Sequence, residues 1–298
     1  MTYARRRGSG FVWLFLAPSL LVFALYRIIP LGWNAVLSVE RWSPFRPASF
    51  AGLDHYEEMF FHDEVFWRSL WNTVVFMTSA PIAIALALGV ALLVNAPIRG
   101  RALYRAAIFL SYPLMPVAVG IIWRWLYDEK VGLINYGLIS AGLISRGIPF
   151  LESFEWAMLA VIVAAVWQIL GFFMVILLAG LQSIPRELHE AAAIDGAGRA
   201  QRIGRITLPL LRPAIFLCLI IGIINSFTSF DLIYVMTRGG PNYATELLIT
   251  YIYRAAFTLT RFDYAAALTV VLFVFLLALT WLANRASGGE AGAVEAAE

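Results

Sequence analysis

The sequence has little charge and few residues of the kinds that usually carry chemistry. Only 14% of its 298 residues are charged, whereas a typical soluble domain is about one quarter charged. It has one cysteine, Cys218, so it cannot form an intrachain disulfide. Its three histidines have no metal-ligand spacing, and no HExxH sequence is present. This scarcity argues against a cytosolic enzyme, a disulfide scaffold and a disordered chain.

Lysine is nearly absent as well. The single lysine, Lys130, follows a glutamate and precedes a valine. A phosphate-binding P-loop needs Gly-Lys followed by Ser or Thr, because that lysine reaches the terminal phosphates of the nucleotide. The sequence therefore predicts a chain without an ATP-hydrolysing site, a metal site or a cofactor of its own. If ATP drives its activity, another polypeptide must hydrolyse it.

Apolar residues take the place of the missing charge. They make up 61% of the chain, and the mean hydropathy is +0.78. A bilayer core about 30 Å thick requires about 20 apolar residues of helix. Six stretches meet this requirement, near 11–29, 71–94, 106–125, 156–181, 215–233 and 264–283. We predict an all-α integral membrane protein with six spans, in which 1–286 form one transmembrane domain and 287–298 a disordered tail.

Arginines indicate the orientation. They precede the first span, follow the sixth, and lie between spans two and three and between spans four and five. These are Arg5, Arg6, Arg7, Arg99, Arg101, Arg105, Arg186, Arg199, Arg202, Arg205, Arg212 and Arg285. Because basic loops remain in the cytoplasm, both termini are predicted to be cytoplasmic. The external segment 30–70 is aromatic, as in a headgroup belt or a docking surface for an external partner, and headgroup contact explains Asn72 and Thr73.

The longest predicted cytoplasmic loop, 183–209, contains two short helices. Pro185 suits the first helical position, with Ser183 or Ile184 capping, and good helix formers follow over Arg186–Ile194. Glycine 196 is predicted to end that helix, and a second helix is predicted over 199–208. Small alanines on the first helix would let a partner backbone approach closely.

This loop resembles the EAA motif of bacterial ABC importer permeases. The match covers every fixed position of the motif: Glu190-Ala191-Ala192, three residues, Gly196, nine residues, Ile206-x-Leu208-Pro209. Later segments resemble the maltose-type subclass, which imports sugars, oligosaccharides and glycerol phosphate. These are 237–241 (TRGGP), Thr245 and 251–257. The resemblance covers nearly the whole chain and agrees with the six-span count.

The resemblance implies a role for each residue of the motif. The segment from Glu190 to Gly196 would be the coupling helix between spans four and five, docked in a cleft of an ATPase subunit. Glu190 would contact a basic or polar group there, and Gly196 would permit the turn. The other implied coupling residues are Ala191, Ala192, Asp195, Ile206, Leu208 and Pro209. The alternative for Glu190 is a solvated helix carboxylate, and for the neighbouring arginines it is attraction to anionic headgroups.

The resemblance also implies partners and a location. The chain would pair with a second, related permease subunit as a heterodimer, with two ATPase subunits that bind ATP and Mg, and with an extracytoplasmic substrate-binding protein. It would lie in the lipid bilayer of a bacterial cytoplasmic (inner) membrane and would not bind nucleic acid.

Polar residues within the apolar spans predict the substrate path, since such residues are costly unless they line a cavity. They are Trp167, Gln168, Asn225, Ser226 and Thr228. Amides suit sugar hydroxyls, and tryptophan can stack on a sugar face. The alternative is hydrogen bonding between helices. Asp231 is interpreted as an interfacial or paired carboxylate rather than a ligand.

Two other functional classes remain as alternatives to a permease subunit. An intramembrane enzyme would need catalytic groups clustered at membrane depth, and the sequence has no such cluster. An autonomous carrier or channel for a small polar solute would need acids within the spans and an internal repeat. The sequence therefore favours the permease, and it leaves a disaccharide, a monosaccharide, a polyol and glycerol phosphate open as substrates.

Overall fold

The computed structural model describes residues 8–44, 46–96 and 99–286. The predicted disordered tail, 287–298, and the first three arginines, Arg5, Arg6 and Arg7, lie outside the described residues. The chain divides into two compact units. The first unit comprises Met1–Asp63 and Ile252–Val274, and the second comprises Glu64–Tyr251 and Phe275–Glu298.

The described residues form sixteen α-helices, three π-helical turns and one two-stranded sheet. The helices are α1 (Gly8–Phe23), α2 (Ile29–Leu37), α3 (Asp54–Phe61), α4 (Glu64–Met77), α5 (Ser79–Asn95), α6 (Arg101–Phe109), α7 (Pro116–Leu126), α8 (Leu133–Ser140), α9 (Ala157–Ser183), α10 (Arg186–Ile194), α11 (Arg199–Arg202), α12 (Leu208–Leu210), α13 (Arg212–Thr228), α14 (Asp231–Met236), α15 (Leu248–Tyr253) and α16 (Phe262–Ala286). The strands are β1 (Glu40–Ser43) and β2 (Arg46–Phe50). The π turns are Ala24–Ile28, Ile203–Thr207 and Arg254–Thr258.

The first apolar helix is longer than the sequence predicts. The predicted span ends at residue 29, just before Pro30, but α1, a π turn and α2 continue to Leu37. The N–H of Ile29 donates to the carbonyl of Ala24, five residues earlier. This wider turn lies directly before the proline, whose nitrogen carries no hydrogen. The helix therefore passes the proline instead of ending there.

Polar contacts organise the rest of the first unit. Strands β1 and β2 pair antiparallel, with Glu40 opposite Phe50. The two guanidinium nitrogens of Arg261 each donate to a carboxylate oxygen of Glu58 at 2.6 Å. This bidentate contact lowers the pKa of Glu58 below its usual value. The backbone N–H of Trp42 donates to Asp263 at 3.2 Å. The part of the aromatic segment up to Asp63 is therefore folded in this unit, and its remaining residues, 64–70, begin α4 of the second unit.

In the second unit, α5 packs along α9. The alanines Ala83, Ala87 and Ala91 recur every fourth residue on α5, and none of them is exposed. Residues with this spacing share one face of a helix, and small side chains there let two helices approach closely. Helix α9 contributes Phe173 and Leu177 to the same buried cluster, and both are fully buried. The predicted spans 71–94 and 156–181 both correspond to helices of this core.

The third predicted span, 106–125, is wrong as a single helix. The chain forms α6, then an irregular segment over 110–115, then α7, which begins at Pro116. Prolines at 113 and 116 explain the break, because the residue before a proline is disfavoured in helical conformation. Met115 has ψ of 132°, which is extended. The predicted span 106–125 includes both prolines, because a proline can be tolerated in a membrane helix where neighbours satisfy the freed carbonyls.

The fifth predicted span, 215–233, also differs. Helix α13 ends at Thr228, and α14 begins anew at Asp231. On its other side, α11, a π turn and α12 form one continuous helix, Arg199–Leu210, which is bent by 65° from α13. In this π turn too, an N–H donates five residues back, from Leu208 to Ile203, directly before a proline.

Four helices in the described residues are long and apolar enough to cross a membrane. They are Phe15–Leu37, Glu64–Asn95, Ala157–Ser183 and Phe262–Leu282. The count rises to five if the bent pair Arg199–Leu210 and Arg212–Thr228 forms one span. Helix α7 is apolar but short. The predicted count of six spans is therefore still a prediction.

Candidate coupling and translocation sites

The predicted coupling helix, α10, has the predicted bounds Arg186–Ile194. Pro185 lies one position before the helix, with ψ of 133°, rather than at its first position. No side-chain hydrogen bond caps this end, so Ser183 does not act as predicted. None of the side chains of α10 is buried. The helix therefore presents most of its surface outside the core of its unit.

Helix α10 ends at a turn whose backbone conformation is set by Gly196. Its φ is +80°, a conformation that glycine adopts without strain. The N–H of Gly196 donates to Ala193, and the N–H of Ala197 donates to Ala192. These two bonds form a Schellman motif, which satisfies carbonyls that the helix end leaves free. The predicted helix stop is confirmed, and it sets the direction in which the chain leaves α10.

The helix Arg199–Leu210 is tied to α10 by side chains. Gln201 accepts a hydrogen bond from the N–H of Gly198 at 2.9 Å, which caps the start of the helix. The guanidinium of Arg202 donates to the carbonyl of His189 at 3.5 Å. Arg202 is half-buried, whereas Arg205 is exposed. The two helices thus form one small body that continues into α13.

One face of α10 is fully available to a partner. Glu187, Glu190, Ala191 and Ile194 have the spacing i, i+3, i+4, i+7, so they share a face, and all four are exposed. Ile194 is 87% exposed. An exposed isoleucine beside two carboxylates combines an apolar contact with fixed negative charge. We call these four residues the outer face of α10.

The remaining coupling candidates lie elsewhere. Ala192 is half-buried and Asp195 is exposed at the end of α10. Ile206 and Leu208 are half-buried in the helix leading to α13, and Pro209 is exposed there. They are therefore placed to support the two-helix body rather than the outer face.

A cavity of about 310 Å³ lies among α4, α5, α9 and α13 and the irregular segments that follow α6 and α13. Four of the five predicted path residues line it: Gln168, Asn225, Ser226 and Thr228. Trp167 does not line it, because its ring packs edge-on against Trp123, with 5.9 Å between centroids. Asp231, interpreted as an interfacial or paired carboxylate rather than a ligand, also lines the cavity.

The hydrogen bonds of the lining residues distinguish polar groups that are already bonded within the protein from polar groups that are available to a substrate. The hydroxyl of Ser226 donates to Gly222, and that of Thr228 donates to Ile224. Both are therefore satisfied within their own helix, and neither of these bonds joins two helices, which was the alternative to a role in the substrate path. Asn225 is exposed and lines the cavity, which makes its side-chain amide accessible there. Gln168 donates to Leu114 at 3.1 Å and keeps its carbonyl oxygen as an acceptor.

Residues 81–287 match the family model described as binding-protein-dependent transport system inner membrane component. The chain belongs to this family. The family comprises ABC transport permeases rather than enzymes.

Relatives of this inner membrane component are named for solute uptake. The sulfoquinovosyl glycerol transport system permease protein SmoG of Agrobacterium fabrum is 35% identical to it, over 90% of this chain and 87% of that protein. The sn-glycerol-3-phosphate transport system permease protein UgpA of Yersinia pestis is 34% identical, over 93% of this chain and 94% of that protein. A crystal structure of a bacterial alginate ABC transporter, in complex with an alginate pentasaccharide-bound periplasmic protein, is similar with a TM-score of 0.80. Its identity is 26%, over 93% of each chain.

Several residues that line the permease cavity were not predicted from the sequence. Tyr112 and Leu114 line it from the irregular segment after α6, and Phe230 lines it from the break before α14. The ring of Tyr112 stacks on Phe172 with 4.4 Å between centroids. Pro113 was the available signal, because a proline-induced break in an apolar span exposes backbone and re-aims its neighbours.

The loop between α14 and α15, which contains part of the sequence that resembles the permease subclass, is held by Asn72 and Thr73. Both residues were predicted to contact lipid headgroups. Asn72 is 8% exposed and donates to the carbonyls of Tyr243 and Glu246 at 2.8 and 3.0 Å. The hydroxyl of Thr73 accepts from the N–H of Leu248 at 2.9 Å. The headgroup interpretation is therefore wrong, and both residues anchor the loop between α14 and α15 within the second unit.

Proposed function

We propose that this permease forms half of the translocation path of an importer for an uncharged, polyhydroxylated solute of the sugar class. The cavity supports this, because Asn225 and Gln168 offer amide donors and acceptors beside the aromatic rings of Tyr112 and Phe230. That combination suits sugar hydroxyls and sugar faces. None of the described lining residues is basic, and Asp231 is acidic. A phosphate-bearing solute would be repelled by that carboxylate, so the chemistry favours a sugar or polyol over glycerol phosphate.

The proposed complex contains a second, related permease subunit, two ATPase subunits and an extracytoplasmic binding protein. ATP and Mg would be bound by the ATPase subunits. Six spans would cross the cytoplasmic (inner) membrane, with both termini in the cytoplasm and α10 as the coupling helix between spans four and five. The arginines between α9 and α13 support this orientation, since basic loops remain inside.

Coupling would work through the outer face of α10. Ile194 and Ala191 would fill an apolar cleft of the ATPase subunit, and Glu190 would pair with a basic or polar group there. Closure of the ATPase dimer would then move α10 as a rigid body. The bond from Arg202 to His189 supports transmission of this movement to α13, which lines the cavity through Asn225.

A charge reversal at Glu190 tests the coupling role. In the assembled complex, Glu190→Lys places a cation where a basic group is expected, and like charges in contact cost several kcal/mol. Substrate-stimulated ATP hydrolysis is therefore expected to fall by about tenfold or more. The melting temperature is expected to stay unchanged, because Glu190 is exposed.

The matched control is Glu152→Lys, which makes the same change at an exposed carboxylate outside the coupling segment. Full substrate-stimulated hydrolysis in the Glu190→Lys complex would overturn the coupling role. Uptake by the chain alone, reconstituted in vesicles, would favour an autonomous carrier instead.

A further inference from the structure

A second cavity, of about 560 Å³, lies in the second unit at the ends of α5 and α9 and the beginnings of α6, α10 and α11. Four arginines line it: Arg101, Arg186, Arg199 and Arg202. None of the described residues that line this cavity is acidic. We call it the arginine cavity.

The four arginines have no counter-charge within the part of the chain that the structure describes. No carboxylate lies within ion-pair distance of any of them there. The Nε atom of Arg202 is buried and has no hydrogen-bond partner among the described residues. Like charges that share a cavity repel, and a buried donor without an acceptor costs free energy. An anion in the cavity would relieve both.

Two of these arginines also occupy helix positions that disfavour a cation. Arg101 is the first residue of α6, and Arg186 is the first residue of α10. Each helix is nine residues long. The free N–H groups at a helix N-terminus carry partial positive charge, so acidic residues are preferred there and basic ones are unfavourable. The same N–H groups attract anions. The arginine side chains and the two helix N-termini thus both favour a bound anion in this cavity.

We propose that the arginine cavity binds a phosphate-bearing anion. A planar guanidinium donates two parallel hydrogen bonds to phosphate oxygens. A cavity with several arginines therefore suits a phosphate group better than it suits a ligand with a single carboxylate. The phosphate can belong to an anionic lipid headgroup or to a free solute. Its cytoplasmic location rests on the orientation given in the proposed function. The bound anion would join Arg101 to Arg186 and Arg199 and so hold the coupling segment to the beginning of α6.

Binding of inorganic phosphate to the purified full chain, in detergent without phospholipid, tests the site directly. Equilibrium dialysis with radioactive orthophosphate measures the affinity. Arg186→Gln and Arg199→Gln each remove one guanidinium at an exposed position, and each is expected to weaken binding by about tenfold. The matched control is Arg205→Gln, which removes an exposed arginine of the neighbouring turn that does not line the cavity.

A second measurement identifies the source of the anion. The melting temperature of each protein is compared in nanodiscs of pure phosphatidylcholine and in nanodiscs containing phosphatidylglycerol. Stabilisation by phosphatidylglycerol that both cavity variants lose, and that Arg205→Gln keeps, supports a lipid headgroup. Phosphate binding with the same pattern but no lipid effect supports a free solute. Absence of both effects, or an equal loss in Arg205→Gln, would overturn the proposal. Neither measurement involves transport or ATP hydrolysis, so the result is independent of the proposed function.

Discussion

Alanine at Gly171 is expected to separate two helices that now meet through their backbones. A Cβ at this position of α9 would lie 2.4 Å from the carbonyl oxygen of Ile108 and 2.7 Å from the Cα of Phe109. Ordinary van der Waals contact begins near 3.4 Å, so α6 must move by about 1 Å. Both neighbours are backbone atoms, which cannot rotate away. Overpacking of this kind costs about 1–3 kcal/mol.

Thermal unfolding of the purified chain measures this cost. For a chain of this size, each kcal/mol shifts the melting temperature by roughly 2–4 °C. The control is Gly89→Ala in α5, where nothing lies within 4 Å of the added Cβ. Alanine is a better helix former than glycine, so the control is expected to stabilise the chain by about 0.5–1 kcal/mol. The same substitution thus has opposite signs at the two positions.

The displacement should also affect transport, because α6 leads directly into the segment that carries Tyr112 and Leu114 to the cavity. Substrate uptake by the Gly171→Ala complex is expected to fall below that of the wild type at a temperature where both are folded. If Gly171→Ala raises the melting temperature as Gly89→Ala does, the close backbone contact between α6 and α9 does not exist.

Two further changes test the turn at Gly196 and the contact between Glu58 and Arg261 in the first unit. Gly196→Ala adds a Cβ in open space at a φ of +80°, so the cost of about 1–2 kcal/mol is conformational. Substrate-stimulated ATP hydrolysis should therefore fall in the Gly196→Ala complex, and it should fall less in the Gly196→Asn complex, because asparagine tolerates a positive φ better than alanine does. Equal hydrolysis by the wild type and both variants would argue against a fixed turn at Gly196. Because the pKa of Glu58 is lowered, its contact with Arg261 stabilises the fold above the unfolded pKa near 4.5, and this stabilisation is lost as the pH falls through the depressed value. Both side chains are 40% exposed, so solvent limits the contribution of this contact to about 1 kcal/mol. The test is to measure the melting temperature from neutral pH to about pH 3. The part of its fall that is due to this contact should be absent in Arg261→Gln.

Helix α10 was predictable because its signals are local. Proline before the helix, good helix formers within it and glycine after it are adjacent in sequence, and the observed bounds follow them. The third span was not predictable in the same way. A proline within an apolar run can be tolerated, as at Pro30, or can break the helix, as at Pro113 and Pro116. The outcome depends on which neighbours satisfy the freed carbonyls, and sequence spacing carries no information about them.

The cavity shows a related limit. Hydropathy located the polar residues within the spans, but adjacent helical residues point about 100° apart. Gln168 therefore faces the cavity while Trp167 packs on Trp123. Asn72 finds its acceptor at Tyr243, 171 residues later in the chain. No local pattern predicts a contact of that separation.

The bend at Leu211 has a mechanical consequence. Helix Arg199–Leu210 is about 18 Å long at 1.5 Å per residue, and it meets α13 at 65°. Leu211 is 1% exposed, and its side chain lies over Gly180 of α9, where even a Cβ would come within 2.8 Å. A fulcrum held this closely allows rotation more readily than translation. With a lever arm of about 18 Å, a tilt of about 10° at Leu211 carries the Arg199 end through about 3 Å.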